Sequence, residues 1–281
     1  MINRPAVRLY TFTSMTLALL LLLLVAAPAR AQFQPRPISD PATGEQYHIE
    51  AAAGFWFPTA DMQIASTALG QIGTVIDFKK DLGLQDQKFP ELHLVLRPAK
   101  KHKLRLQYIP LKYTQSATLT RDIIFNGQLY AVSLPVTSTL DWEAWRFGYE
   151  YDFIARDRGF VGFLLDLKYT NVSATVASTR SDFAQAKAPI PTIGGIFRAY
   201  PVANISITGE VTGFTIGWLP KSLTKNNTGH YVDVDVYGTL NFTNNVGVQA
   251  GYRSFDVGYA IGGDSGAFKV KGPYTGIVAR F

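Results

Sequence analysis

Residues 145–153 read Trp145-Arg146-Phe147-Gly148-Tyr149-Glu150-Tyr151-Asp152-Phe153. Every odd position is aromatic, and the even positions carry a base, two acids and a glycine. Successive side chains of a strand point to opposite faces, so this stretch makes one aromatic face and one charged face. A helix would scatter both sets around its axis. The polar turn Arg156-Asp157-Arg158 follows, and the alternation resumes. Val161, Phe163, Leu165, Leu167 and Tyr169 now oppose Gly162, Asp166, Lys168 and Thr170. Two alternating runs joined by a short turn predict an antiparallel hairpin.

The same period continues outward in both directions. Leu92, Leu94 and Leu96 oppose Glu91, His93 and Arg97; Leu104, Leu106 and Tyr108 oppose Lys103, Arg105 and Gln107. Val232, Val234 and Val236 oppose Asp233 and Asp235, and Val246, Val248 and Tyr252 oppose Gln249 and Arg253. A water-soluble sandwich would turn its charged faces outward. A membrane barrel turns them inward, and three features favour it. The runs are longer than the usual strand of about 5–6 residues. Their apolar faces carry Tyr, Phe and Trp near the ends, as interfacial girdles do. The short connections Pro98–Lys101, Ala155–Arg158, Pro201–Ala203 and Thr243–Asn245 alternate with long ones.

The ends of the chain fit such a destination. Arg4 and Arg8 precede an unbroken apolar run, Leu17–Ala27, and Ala29-Arg30-Ala31 is a small-x-small cleavage signal. Residues 1–31 read as a secretory signal peptide, and Pro35, Pro37 and Pro41 make 32–44 an extended periplasmic linker. The barrel then occupies 45–281, roughly 250 residues with the linker, enough to close a mid-sized barrel. The formal net charge is +6, and three of those charges lie in the leader. So weak a surplus argues against nucleic acid as a partner. Cys is absent, which excludes disulfides, thiolate metal sites, cysteine nucleophiles and a lipidated N-terminal Cys.

The last strand carries the most specific signal. It ends Tyr274, Gly276, Ala279 and Phe281, with Ile277 in phase. By this the chain resembles the bacterial outer-membrane β-barrel proteins, over nearly all of its mature length. That resemblance implies an all-β, antiparallel up-and-down barrel and Sec-type export. It also implies assembly by periplasmic chaperones and the barrel-assembly machinery, which reads the terminal aromatic, and contact with outer-membrane lipid and lipopolysaccharide. Ten strands are expected, at 45–58, 88–97, 102–116, 137–155, 159–176, 188–200, 203–218, 229–242, 245–259 and 267–281. Twelve is the alternative if Gly73–Asp81 and Ala117–Ala131 each add one. The stretch Gly73–Asp86 reads either as a surface contact or lid, or as a strand extension with a turn.

The inward set is His48, Glu50, Glu91, His93, Arg97, Arg105, Arg146, Glu150, Asp152, Asp166, Lys168, Arg198, Glu210, Asp233, Asp235, Arg253 and Arg280. Acids and bases are mixed, as they must be where buried charges pair. A charge network is expected from Arg146, Glu150, Asp152, Asp166, Lys168, Glu91, His93 and Arg105, with the first five meeting across one hairpin. This describes a non-catalytic barrel with a structural, surface-interaction or small-solute role. The alternative is a membrane-embedded hydrolase acting on lipid or peptide at the outer rim. Its one candidate pair is His230 with Asp233; no Gly-x-Ser-x-Gly motif supplies a nucleophile. No metal-ligand spacing or cofactor motif is present. Lys79, Lys80, Lys221 and Lys225 are outer-loop cations that could meet lipopolysaccharide phosphates.

Overall fold

The computed structural model describes residues 42–65, 73–125, 127–178, 181–224 and 227–281. The expected signal peptide, the expected linker up to residue 41, and Lys225 lie outside the described residues.

The strands are β1 (Ile49–Trp56), β2 (Thr59–Ala65), β3 (Ile76–Asp77), β4 (Phe89–Ala99), β5 (His102–Thr118), β6 (Ile123–Phe125) and β7 (Gln128–Tyr130). They continue with β8 (Pro135–Arg156), β9 (Gly159–Ala177), β10 (Ser181–Val202), β11 (Ile205–Thr215), β12 (Thr228–Asn241), β13 (Val246–Ile261) and β14 (Asp264–Arg280). β1, β4, β5 and β8 to β14 pair antiparallel in chain order, and β14 closes on β1. This is a closed ten-stranded barrel with no unpaired seam, which hydrocarbon demands. At the seam Gly54 faces Gly276; a Cβ on Gly54 would come within 2.1 Å of the Thr275 carbonyl oxygen. Twelve strands do not form in the wall. Gly73–Asp81 yields only β3, which pairs with β2, and Ala117–Ala131 yields the separate β6–β7 hairpin. β2 itself continues β1 along β14 after a break at Phe57-Pro58.

Tyr108, Trp145 and Tyr169 stand side by side on β5, β8 and β9. Below this row Phe147, Tyr149, Tyr151 and Phe153 on β8, and Val161, Phe163, Leu165 and Leu167 on β9, are exposed on the outer face. Val161 to Tyr169 has the length of a tilted bilayer-crossing strand, about 9–11 residues. Above the row the outer face turns polar, with Lys112 beside Asp141 at 3.6 Å and Asn171 donating to Glu143 at 3.1 Å. β5, β8, β9 and β10 all run on past it, so the wall rises well beyond its apolar band.

The four tight turns lie on the rim that holds the ends of β1 and β14, the lower rim. The upper rim departs from expectation. Three of its connections are long, but Gly262-Gly263, both at positive φ, link β13 to β14 directly, and β9 runs into β10 within a few residues. β10 starts at Ser181 rather than 188. The first strand starts at Ile49 rather than 45, since residues 43–47 are used at the lower mouth.

The interior has two tiers. The lower holds the charges. The upper is a buried apolar cluster in which Trp56, Met62, Leu111, Trp142, Phe255 and Phe268 come from the wall. Ile76, Phe78, Leu82 and Leu84 enter it from the segment Gly73–Asp86, and Leu119, Ile123, Phe125 and Tyr130 from the β6–β7 region. That segment is therefore more than a strand extension: beyond β3 it turns inward and fills the mouth.

Candidate functional site

The lower tier is built by alternation alone, because each strand presents its charged face to the lumen. Arg146 reaches Asp166 at 2.8 Å and also pairs with Glu210. Glu210 accepts from Arg105 at 2.6 Å, and Arg105 donates to Glu150 at 2.5 Å. Lys103 joins Glu150 at 2.6 Å to Asp152 at 2.9 Å. A second chain runs from Lys168 to Asp233 at 2.5 Å, then from Arg253 to Asp233 at 2.8 Å and to Glu91 at 2.7 Å. Glu91 also contacts His93 at 2.6 Å and accepts from Gln107 at 2.6 Å.

The five charges of the β8–β9 hairpin do not form one cluster. Arg146 and Lys168 are direct register partners, and like charges so placed repel. Only Arg146–Asp166 closes within the hairpin. Glu150 and Asp152 turn to Lys103 on β5, and Lys168 crosses to Asp233 on β12. Lys103 is buried at 1% exposure and stands in phase with Arg105, yet it is missing from the inward set above. Gln107 and Glu45 are the other members that charge alternation did not single out.

The lower mouth is sealed by residues 43–47. Thr43 N–H donates to Ala203 O at 2.7 Å, and Gly44 N–H to Asn244 Oδ1 at 3.1 Å. The Tyr200 hydroxyl donates to Glu45 at 2.9 Å, and Arg97 to the Glu45 carbonyl at 2.5 Å. Tyr47 lies buried with the guanidinium groups of Arg97 and Arg280 at 5.3 and 5.8 Å from its ring. This segment thus touches strand ends and turns around the rim, and the end of the expected linker is part of the barrel.

The upper mouth is held by a second polar tie. Arg121 grips Asp81 through two nitrogens at 2.8 and 2.6 Å and donates to Val75 O at 2.7 Å. Those hydrogen bonds hold the Asp81 carboxyl below the usual carboxylate range. Lys79 and Lys80 are ion-paired locally, with Asp86 at 2.8 Å and Asp77 at 3.2 Å.

His230 and Asp233 are not brought together. They are three apart on β12 and so face opposite sides of the wall. His230 is on the outside, 3.2 Å from Asp256, while Asp233 is buried among Lys168 and Arg253. His48, in the inward set, is exposed at the lower rim, its ring 3.3 Å from Arg97 O. His102 contacts the Tyr149 hydroxyl at 2.6 Å on the outer face. Ile277 on β14 and Phe281 just after its end are exposed at 62% and 71%. Tyr274 is turned inward, and its hydroxyl donates to Asp235 at 2.9 Å.

Space inside is scarce. One cavity of about 20 Å³ lies in the lower tier among Glu50, His93, Lys103 and Tyr274. Another of about 20 Å³ lies higher, between Arg146, Lys168, Trp142 and Phe255. Each has room for a water molecule or two.

No family model and no curated protein matches the chain. Among solved structures, the outer-membrane protease OmpT of Escherichia coli superposes with a TM-score of 0.56 at 9% identity, covering 87% of this chain and 100% of that one. The toluene transporter TodX of Pseudomonas putida gives 0.35 at 9% identity, covering 87% and 93%. The attachment invasion locus protein Ail of Yersinia pestis gives 0.34 at 10%, covering 83% and 99%. The likeness to OmpT is one of fold: this chain has the fold of a bacterial outer-membrane β-barrel.

Proposed function

We propose that the chain is exported through its leader, inserted in the outer membrane, and serves there as a non-catalytic barrel with a structural or surface-interaction role. The observation that carries this reading is the filled interior. Among the described residues, a charge-paired lower tier, an apolar upper tier and polar ties across each mouth fill the interior, and the two cavities between them are water-sized. A narrow barrel filled by its own side chains is a scaffold rather than a conduit. The lower rim faces the periplasm, and the tall upper wall with its cap stands outside. Val75, Leu129 and Val132 are exposed on that cap and offer it a contact surface. Insertion goes through the barrel-assembly machinery and periplasmic chaperones, with Phe281 and the residues before it on β14 as the signal. The outer rim meets lipopolysaccharide.

Single-channel recording in planar bilayers tests the reading. The purified barrel should show negligible conductance. Large, stable openings would refute the plug and make the protein a pore.

A further inference from the structure

The upper cavity lies where the two tiers meet, and its two sides differ in chemistry. Arg146, Lys168 and Arg253 line it, and no carboxylate is among its lining residues. Ile109, Trp142 and Phe255 form its apolar side. Three donors of lining residues are buried without a hydrogen-bond partner among the described residues: Trp142 Nε1, Arg146 Nη2 and Thr170 Oγ1. Buried donors are nearly always satisfied in folded proteins, and a group of orphans calls for an explanation. The apolar side is continuous with the cluster that receives Phe78, Leu82 and Leu84 from the cap.

We propose that this cavity is the headgroup end of a site for an anionic amphiphile, a carboxylate on an alkyl chain. The carboxylate accepts from the three orphan donors and sits against the cationic side, where charge-assisted hydrogen bonds are strong. The alkyl chain runs upward through the apolar tier and takes the volume now occupied by Phe78, Leu82 and Leu84. These cap residues satisfy the apolar wall in the ligand's place, and the cap's polar tie is the Arg121–Asp81 pair. The site needs no continuous pore and is compatible with a plugged lower tier.

The probe is dodecanoate added to the folded barrel in zwitterionic-detergent micelles, with acetate and dodecanol as head-only and tail-only comparators. Native mass spectrometry should retain one dodecanoate per chain and neither comparator to the same extent. Hydrogen exchange across residues 76–84 should quicken on binding as the cap is displaced. The variant Thr170→Val removes one orphan donor with almost no change of shape, and Trp142→Phe/Thr170→Val removes two but leaves a cavity beside Phe255 and Phe268. Thr170→Val should fold and resist heat at least as well as the native chain, because an unpartnered polar group is lost; the double variant should still fold, at lower heat resistance, and bind dodecanoate about tenfold or more weakly. Equal retention of acetate or of dodecanol, unchanged affinity in the double variant, or slower exchange at 76–84 would each overturn the proposal.

Discussion

Replacing Arg146 by methionine tests how dry the lower tier is. Arg146 is 4% exposed and serves two carboxylates. Glu210 keeps Arg105 at 2.6 Å when Arg146 is gone. Asp166 has no other ion pair among the described residues, and it is left bare in the lumen. An uncompensated buried charge costs about 3–5 kcal/mol. Adding Asp166→Asn removes that charge, so the double variant should sit only about 1–2 kcal/mol below the native barrel, the usual value of the hydrogen bonds lost. The coupling between the two substitutions is then about 1–4 kcal/mol, plus whatever Asp166→Asn costs alone, beyond ordinary additivity error. The assay is equilibrium urea unfolding in phospholipid vesicles, followed by heat-modifiable migration and tryptophan fluorescence. If Arg146→Met costs less than about 1 kcal/mol and Asp166→Asn merely adds to it, water reaches the network. The plug reading would then lose its physical basis.

Other expectations are simpler. Phe281→Asp should slow insertion and leave chain in the periplasm, since Ile277 on β14 and Phe281 just after its end are exposed and apolar; normal membrane yield would count against this. Tags inserted at Asp157 or Asn244 should be periplasmic and tags within Ser222–Gly229 exposed outside, and surface labelling with the reverse pattern would invert the topology. The cap should loosen in acid. Asp81 is held below its ordinary value by Arg121, so its ion pair stabilises above the unfolded carboxylate pKa, near 4. That contribution fades as pH falls through the lower folded value. Protection of the amides at 76–84, relative to their intrinsic exchange rates, should fall with acid in the native chain; in Asp81→Asn it should already be lowered at neutral pH and change little.

What was legible in the sequence was the part that touches lipid. Trp145–Phe153 and Val161–Tyr169 must be apolar on one face, because hydrocarbon lies there, and charged on the other, because the lumen is narrow and shared. The partners across the lumen were not legible. Arg146 could be assigned to the interior from its phase, and its bond to Asp166 falls within the predicted hairpin, but its bond to Glu210 depends on closure bringing β11 across from β8. The same closure sends Lys168 to Asp233, the residue that sequence spacing offered as a partner for His230. A spacing of three on a strand separates two side chains onto opposite faces, which weighs against any such pair from the start.

The upper tier was missed for a different reason, and the reason is itself a readable signal. On β8 the odd residues face outward from Pro135 to Phe153, but what the outside is changes at Trp145. Below it the outside is lipid, and Phe147, Tyr149, Tyr151 and Phe153 are apolar. Above it the outside is water, so Asp141 and Glu143 take the outer face while Val136, Leu140 and Trp142 turn apolar inside. β5 does the same: outward Leu104, Leu106 and Tyr108 give way to inward Ile109, Leu111 and Tyr113. The hydrophobic phase flips by one residue while the backbone phase does not. Read as strand periodicity alone, the flip looks like the end of the pattern. Read as a change of solvent, it marks the upper edge of the apolar band on both strands, at the row where Tyr108 meets Trp145. It also explains the two-tier interior: one wall with an unbroken inward face holds charges where lipid surrounds it and an apolar core where water does.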